Sequence, residues 1–204
     1  FTLENTKYLS VNEEGDAITF LDLRGNIKAS FKDKFIQANN SGVYYVAKDS
    51  IEGNYFVDTD TSGRVMKLFI DKEGSIQSTT FAKQFSPSHS FTAADVNGDS
   101  KQDYVFLDNN EVTAYHDTSI IFQNKLADGL NGLYKYNIDG SDKVFVTSET
   151  SNHIYMINAD GSVSRGFPLR GALYPAFTVL NQNRNILITG SSDMTLQVYE
   201  LKSR

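Results

Sequence analysis

Apolar residues in this chain come in short runs broken by polar turns, and the rhythm recurs. Five segments align once their runs are matched: KYLSVNEEGDAITFLDLRGNI (7–27), NYFVDTDTSGRVMKLFIDKEGSI (54–76), DYVFLDNNEVTAYHDTSI (103–120), KVFVTSETSNHIYMINADGSV (143–163) and NILITGSSDMTLQVYELK (185–202). Each predicts two strands joined by a polar turn. In the first four a second turn leads to a branched residue, Ile27, Ile76, Ile120 and Val163, at intervals of 49, 44 and 43 residues. Gly25, Gly74 and Gly161 hold matching turn positions, with Thr118 in the third copy. Upstream of each segment stands another strand candidate: FTLE (1–4), GVYYVAK (42–48), FTAAD (91–95), GLYKYN (132–137) and FTVLN (177–181). Downstream of the first four lie weaker ones: IKASF (27–31), IQSTTF (76–81), SIIFQ (119–123) and SVSRGF (162–167).

The unit is therefore four strands in 42 to 49 residues, the signature of a β-propeller blade. No stretch carries a sustained helical period, and KDKFIQANN (32–40) offers one helical turn at most. Runs such as YVFL, VFV and ILI are continuous rather than alternating, as expected for strands buried on both faces between neighbouring blades. A two-sheet sandwich is the rival fold, but it does not require a period held through five copies. The expectation is one all-β propeller domain over 1–204, with repeats near 1–35, 42–84, 91–124, 132–168 and 175–204. The fifth repeat has only three strands. That leaves a five-bladed ring with one thin blade, or the C-terminal part of a larger propeller; the start on Phe1 favours the second.

Composition narrows the chemistry. With 40% hydrophobic and 12% aromatic residues, a packed core is within reach. A net charge of −6 without basic clusters argues against nucleic acid as a partner, and no apolar run is long enough to insert in a membrane. The absence of cysteine excludes disulfides, thiolate catalysis and zinc–thiolate sites. The histidines, His89, His116 and His153, show no metal-ligand spacing. No nucleophile elbow, S-x-x-K set or phosphate loop is present, so catalysis is not the leading expectation.

One stretch does suggest a metal. In FTAADVNGDSKQDYVFLD (91–108), Asp95, Asn97 and Asp99 fit positions 1, 3 and 5 of an oxygen-ligand calcium loop, and Asp103 falls at position 9. Position 6 is Ser100 rather than Gly and position 12 is Phe106 rather than Glu, which excludes an EF-hand. The competing reading is a polar turn, because Asp, Asn and Gly make turns through side-chain-to-backbone bonds. The corresponding segments NIDGSDK (137–143), NQNRN (181–185) and KDSIEGN (48–54) keep few acids. An ion here would be structural.

This same stretch, with its aromatic, small-residue strand, Asp-rich loop and Asp-headed strand, resembles the FG-GAP/VCBS-like repeats of bacterial β-propellers. INADGSVSRGFPL (157–169) resembles a hairpin frequent in that group. The likeness by motif covers about half of the chain. It implies a propeller and an extracytoplasmic location (periplasmic, cell-surface or secreted), and it implies no activity.

The turns between second and third strands are rich in acids: Glu13, Glu14, Asp58, Asp60, Asp108, Glu149 and Asp193. In a propeller they emerge on one face, opposite the Asp95 loop, where loops converge to bind partners. The leading expectation is a non-catalytic module that presents this face to a protein partner or to a neighbouring domain of the same chain. The alternative is carbohydrate binding or processing by the same face, helped by Tyr44 and Tyr174.

Overall fold

Alternating apolar runs and Gly- or Asn-bearing turns produce meanders of antiparallel strands. The computed structural model describes residues 2–3, 6–13, 17–31, 44–49, 53–70, 76–80, 83–126, 129–180 and 184–202. Among the described residues there is no helix, hence none long and apolar enough to cross a membrane. The expected helical turn at 32–40 lies outside them.

Sheet 1 is β1 (Thr2–Leu3), β2 (Thr6–Glu13), β3 (Ala17–Asp22) and β4 (Ile27–Phe31). Sheet 2 is β5 (Tyr44–Asp49), β6 (Gly53–Thr59), β7 (Val65–Ile70) and β8 (Ile76–Thr80). Sheet 3 is β9 (Ser90–Ala94), β10 (Asp103–Asp108), β11 (Glu111–His116) and β12 (Ser119–Lys125). Sheet 4 is β13 (Leu130–Ile138), β14 (Ser141–Ser148), β15 (His153–Ile157) and β16 (Leu169–Arg170). Sheet 5 has β17 (Leu173–Leu180), β18 (Arg184–Gly190) and β19 (Leu196–Leu201). In every sheet, strands adjacent in sequence are adjacent in space and antiparallel. The chain divides into two compact units, Phe1–His89 with sheets 1 and 2, and Ser90–Arg204 with sheets 3 to 5.

Within the first unit, Ile18, Phe20 and Phe31 of sheet 1 bury against Phe56, Met66 and Leu68 of sheet 2, with the Phe20 and Phe56 rings 4.7 Å apart. In the second unit sheet 4 is covered on both sides. Val144 and Val146 of β14 pack with Val105, Leu107 and Val112 of sheet 3, while Phe145 between them packs with Leu187 of sheet 5. Successive side chains point to opposite faces, so a V-F-V run serves two interfaces. Fully burying side chains of this size contributes about 1.5–3 kcal/mol each.

The fourth copy departs from expectation. SVSRGF (162–167) forms no strand beyond a bridge from Val163 to Ile157, and the fourth strand is the short β16 further on. Gly166 turns the chain at φ 93°, and Pro168 has no N–H for a ladder.

Four turns share one five-residue form: DLRGN (22–26), DTSGR (60–64), NADGS (158–162) and SSDMT (191–195). In each, the first N–H donates to the fifth carbonyl and the fourth N–H donates to the first carbonyl. The fourth residue sits in the left-handed region: Gly25, Gly63 and Gly161 at φ 84°, 80° and 80°, and Met194 at 61°. Glycine adopts that backbone freely; methionine does so at a cost.

Candidate functional site

The Asp-rich loop connects β9 to β10 and closes on itself. Asp95 Oδ1 accepts the N–H groups of Gly98 (2.7 Å) and Asp99 (3.1 Å), and its Oδ2 accepts that of Ser100 (2.8 Å). Asn97 Oδ1 accepts Asp99 N–H and Asp99 Oδ1 accepts Lys101 N–H, both at 2.9 Å. That last bond, with Asn97 and the charges of His116 and Lys101, holds the Asp99 carboxyl below the usual carboxylate range. Ser100, at the position where an EF-hand has Gly, stands at φ 67°. Asp103 is buried at the other end of the loop, where Oδ2 accepts Val96 N–H and Oδ1 accepts the Nδ1–H of His116 at 2.9 Å. Burial pushes the Asp103 carboxyl up, against the bond from His116. Among the described residues no group of three or more His, Asp or Glu side chains is placed to hold a metal ion. The loop's side-chain oxygens accept the N–H groups of its own backbone. A further tie comes from Asp142 of sheet 4, whose Oδ2 accepts Asp95 N–H at 3.1 Å.

The expected acidic face divides. Glu14 lies outside the described residues, and of Glu13 only the backbone, at the end of β2, is described. Asp58 and Asp60 are buried, so they are not displayed to a partner. Asp60 shapes its turn instead: Oδ1 accepts the N–H groups of Ser62 and Arg64, and Oδ2 meets the Arg64 guanidinium at 2.7 Å. The short hairpin turn leaves Asp108 half-buried at the end of β10. Glu149 and Asp193 are exposed, on the β14–β15 and β18–β19 turns. Asp193 Oδ2 lies 2.6 Å from the Arg170 guanidinium, and Thr195 and Ser191 help to hold its carboxyl below the usual range.

These last two turns are stitched together. Asn152 Nδ2 donates to Ser191 Oγ at 2.7 Å, and its Oδ1 accepts Ser192 N–H at 3.2 Å. At the same end of sheet 5, where Leu173 pairs with Gly190, β17 carries a bulge. Tyr174 sits in it at φ 47° and is 90% exposed, while Met194 on the adjoining turn is 98% exposed. Among the described residues, six of the eight non-glycine residues with positive φ are Asn, Asp or Ser, side chains that tolerate this backbone. Tyr174 and Met194 are the other two, and both project from one end of the sheet. Glu149 and Tyr174 lie close enough to Tyr134 to push its hydroxyl pKa upward, in addition to the larger effect of burial there. Behind this patch, the Tyr136 hydroxyl donates to the carbonyl of Pro175. The patch combines two exposed or half-exposed tyrosines, a methionine, a carboxylate and one ion pair.

Sequence reasoning placed Glu149, Asp193 and Tyr174 on this face and missed Met194 and Arg170. Met194 had a signal: SSDMT aligns with DLRGN and DTSGR, with Met where the others have Gly.

Solved structures of known proteins share this architecture. The "Dos1 propeller" has a TM-score of 0.63 at 14% identity, covering 98% of this chain and 53% of that one. The fold is a β-propeller. BBS1N in complex with ARL6DN matches with a TM-score of 0.59 and 14% identity, over 96% of this chain and 62% of that one. Virginiamycin B lyase from Staphylococcus aureus matches with 0.58 and 14%, over 99% and 69%. This chain thus spans about half to seven-tenths of the length of these proteins. At such identities the likeness concerns the fold alone, and the fold serves both a protein complex and a lyase. No family profile and no curated protein matches the chain.

Proposed function

We propose that this propeller is a non-catalytic binding module that engages a protein partner through the turn end of sheets 4 and 5. The observation that carries the reading is the pair Tyr174 and Met194, both almost wholly exposed on backbone that penalises bulky residues. Strained residues persist where function keeps them, and aromatic side chains with polar tips dominate the energetics of protein interfaces. Met adds an adaptable apolar contact, while Glu149 and the Arg170–Asp193 pair supply a polar rim. The BBS1N–ARL6DN complex supports the reading at the level of fold. Carbohydrate recognition is the alternative, since the exposed Tyr174 ring offers a stacking surface for a sugar and Glu149, which with Tyr174 acts on Tyr134, a carboxylate to accept from its hydroxyls.

The test is affinity capture from a native extract with the wild-type chain and with Tyr174→Ala, alongside a glycan array. A protein retained by the wild type and lost with Tyr174→Ala is the expected result. Glycan binding that Tyr174→Ala abolishes, with no protein retained, would replace this reading by the alternative.

A further inference from the structure

The fourth copy of the repeat leaves one end of its own sheet thinly covered. β16 pairs only with His153 and Ile154, and beyond them the edge of β15 meets the bridge from Val163 and the N–H of Ser164 rather than a strand. This is the end of sheets 4 and 5 opposite Glu149 and Tyr174. Met156, Phe167 and Leu169 of the fourth copy, with Tyr199 and Leu201 of β19, pack on the core that joins the two sheets, yet all five stay half-buried. The Tyr199 hydroxyl donates to the Arg170 carbonyl at 2.9 Å and ties β19 to β16. The Phe167 ring stands edge-on to Phe145 at 5.9 Å. These five side chains line a cavity of about 1040 Å³, which continues around the end of sheet 4 to Val96 and Phe122.

A cavity of this size, walled by apolar side chains with a few polar groups, has the form of a small-molecule site. The charges around it identify the ligand. Lys143 on β14 is half-buried and Arg165 is exposed, and both line the cavity. Among the described residues neither side chain has an ion pair or a hydrogen bond. The other charged groups there are engaged. Glu200 is paired with Arg184 at 2.8 Å and also feels the charge of Lys202, and Asp142 is paired with Lys135 at 3.6 Å. Asp139 accepts a hydrogen bond from Asn185 at 3.0 Å. Two cations against the one carboxylate of Asp139 leave a small positive surplus beside an apolar wall, in a chain whose net charge is −6. Half-burying a lysine without a counter-ion costs solvation, which a bound anion offsets. We infer that this cavity binds an amphipathic monocarboxylate of the fatty-acid type. Its aliphatic chain lies along Met156, Leu169 and Leu201, between the rings of Phe167 and Tyr199, and its carboxylate meets the charges of Lys143 and Arg165. A doubly charged phosphate head would exceed the surplus, and a neutral lipid would leave both cations unmet. The site is at the far end of the sheets from Tyr174 and rests on nothing in the reading of that end.

Equilibrium dialysis against radiolabelled laurate tests the site, with dodecylammonium as a probe of the same chain length and opposite charge, both below their micelle concentrations. Laurate is expected to saturate a single site, and dodecylammonium to bind at least about tenfold more weakly. Arg165→Gln and Lys143→Gln are each expected to weaken laurate binding about tenfold or more, the scale of one charge-assisted hydrogen bond. Lys28→Gln, which removes a cation of sheet 1 already paired with Asp22, is the control and is expected to bind as the wild type does. Melting temperatures are measured alongside; Arg165 is exposed and unpaired among the described residues, so Arg165→Gln is expected to fold as the wild type and to keep the test sound if Lys143→Gln does not. Absence of laurate binding would overturn the inference. So would equal binding of the two probes, or laurate binding that Arg165→Gln leaves unchanged.

Discussion

At the residue scale the informative positions are those where the backbone and the side chain disagree. Met194 takes the position that Gly25, Gly63 and Gly161 hold in equivalent turns, yet nothing in the packing rewards it, since its side chain is almost entirely in solvent. Met194→Gly is therefore expected to stabilise the fold by about 1 kcal/mol, seen as a higher melting temperature, while it weakens partner capture. A lower melting temperature would show that Met194 serves stability, and the functional argument from strain would fail. Asp95 is the opposite case. Its oxygens satisfy three N–H groups of its own loop, so the turn forms without help. A thermal-shift titration with calcium and then chelator is expected to leave the melting temperature unchanged; a rise that chelator reverses would assign an ion to Asp95, Asn97, Asp99 and Asp103. The spacing of these residues is legible in sequence, but whether their oxygens face an ion or the backbone is decided by loop geometry. The two-residue turn at Asn109 and Asn110 sets the register of β10 and β11, and one step beyond the Tyr104–Tyr115 pair that register brings Asp103 to His116.

Strands and their order were largely legible because the period of apolar runs and turns is regular, and IKASF (27–31) coincides with β4. What periodicity could not show is how a strand end is tied down. β13 supplies an example, since the hydroxyl of Tyr136 donates to the carbonyl of Pro175 and so fixes the bulge that presents Tyr174. Half-burial of this phenol pushes its pKa up to about 12, so it stays a donor across the physiological range. Tyr136→Phe keeps the ring, which packs at 5.6 Å from Phe145 and 5.9 Å from Phe177, and removes only the donor. The expected cost is about 1 kcal/mol in denaturant unfolding, with a loss of partner affinity larger than stability alone explains. An unchanged affinity would mean that the bulge holds Tyr174 without this bond. The acidic turns teach the same lesson from the other side: Asp60 looked like a surface carboxylate, yet the bonds from Ser62 and Arg64 bury it as the frame of its own turn.

For the whole molecule, the question is which sheet faces the fold is built to cover. Repetition in the sequence announces stacked sheets, but it cannot say which faces remain open, because β14 and β18 read alike and only one is covered on both sides. Energetics can separate them. Leu187 and Val198 belong to one sheet and face opposite ways, with Leu187 fully buried against sheet 4. In the 204-residue chain Leu187→Ala removes packed methyl groups and leaves a cavity, so about 2–5 kcal/mol of stability is expected to be lost. Val198→Ser removes little that is packed, and a change within about 0.5 kcal/mol is expected. Urea unfolding of both variants reads the difference directly. Equal costs for the two substitutions would mean that the two faces of sheet 5 are packed alike, against the burial of Leu187 and the exposure of Val198.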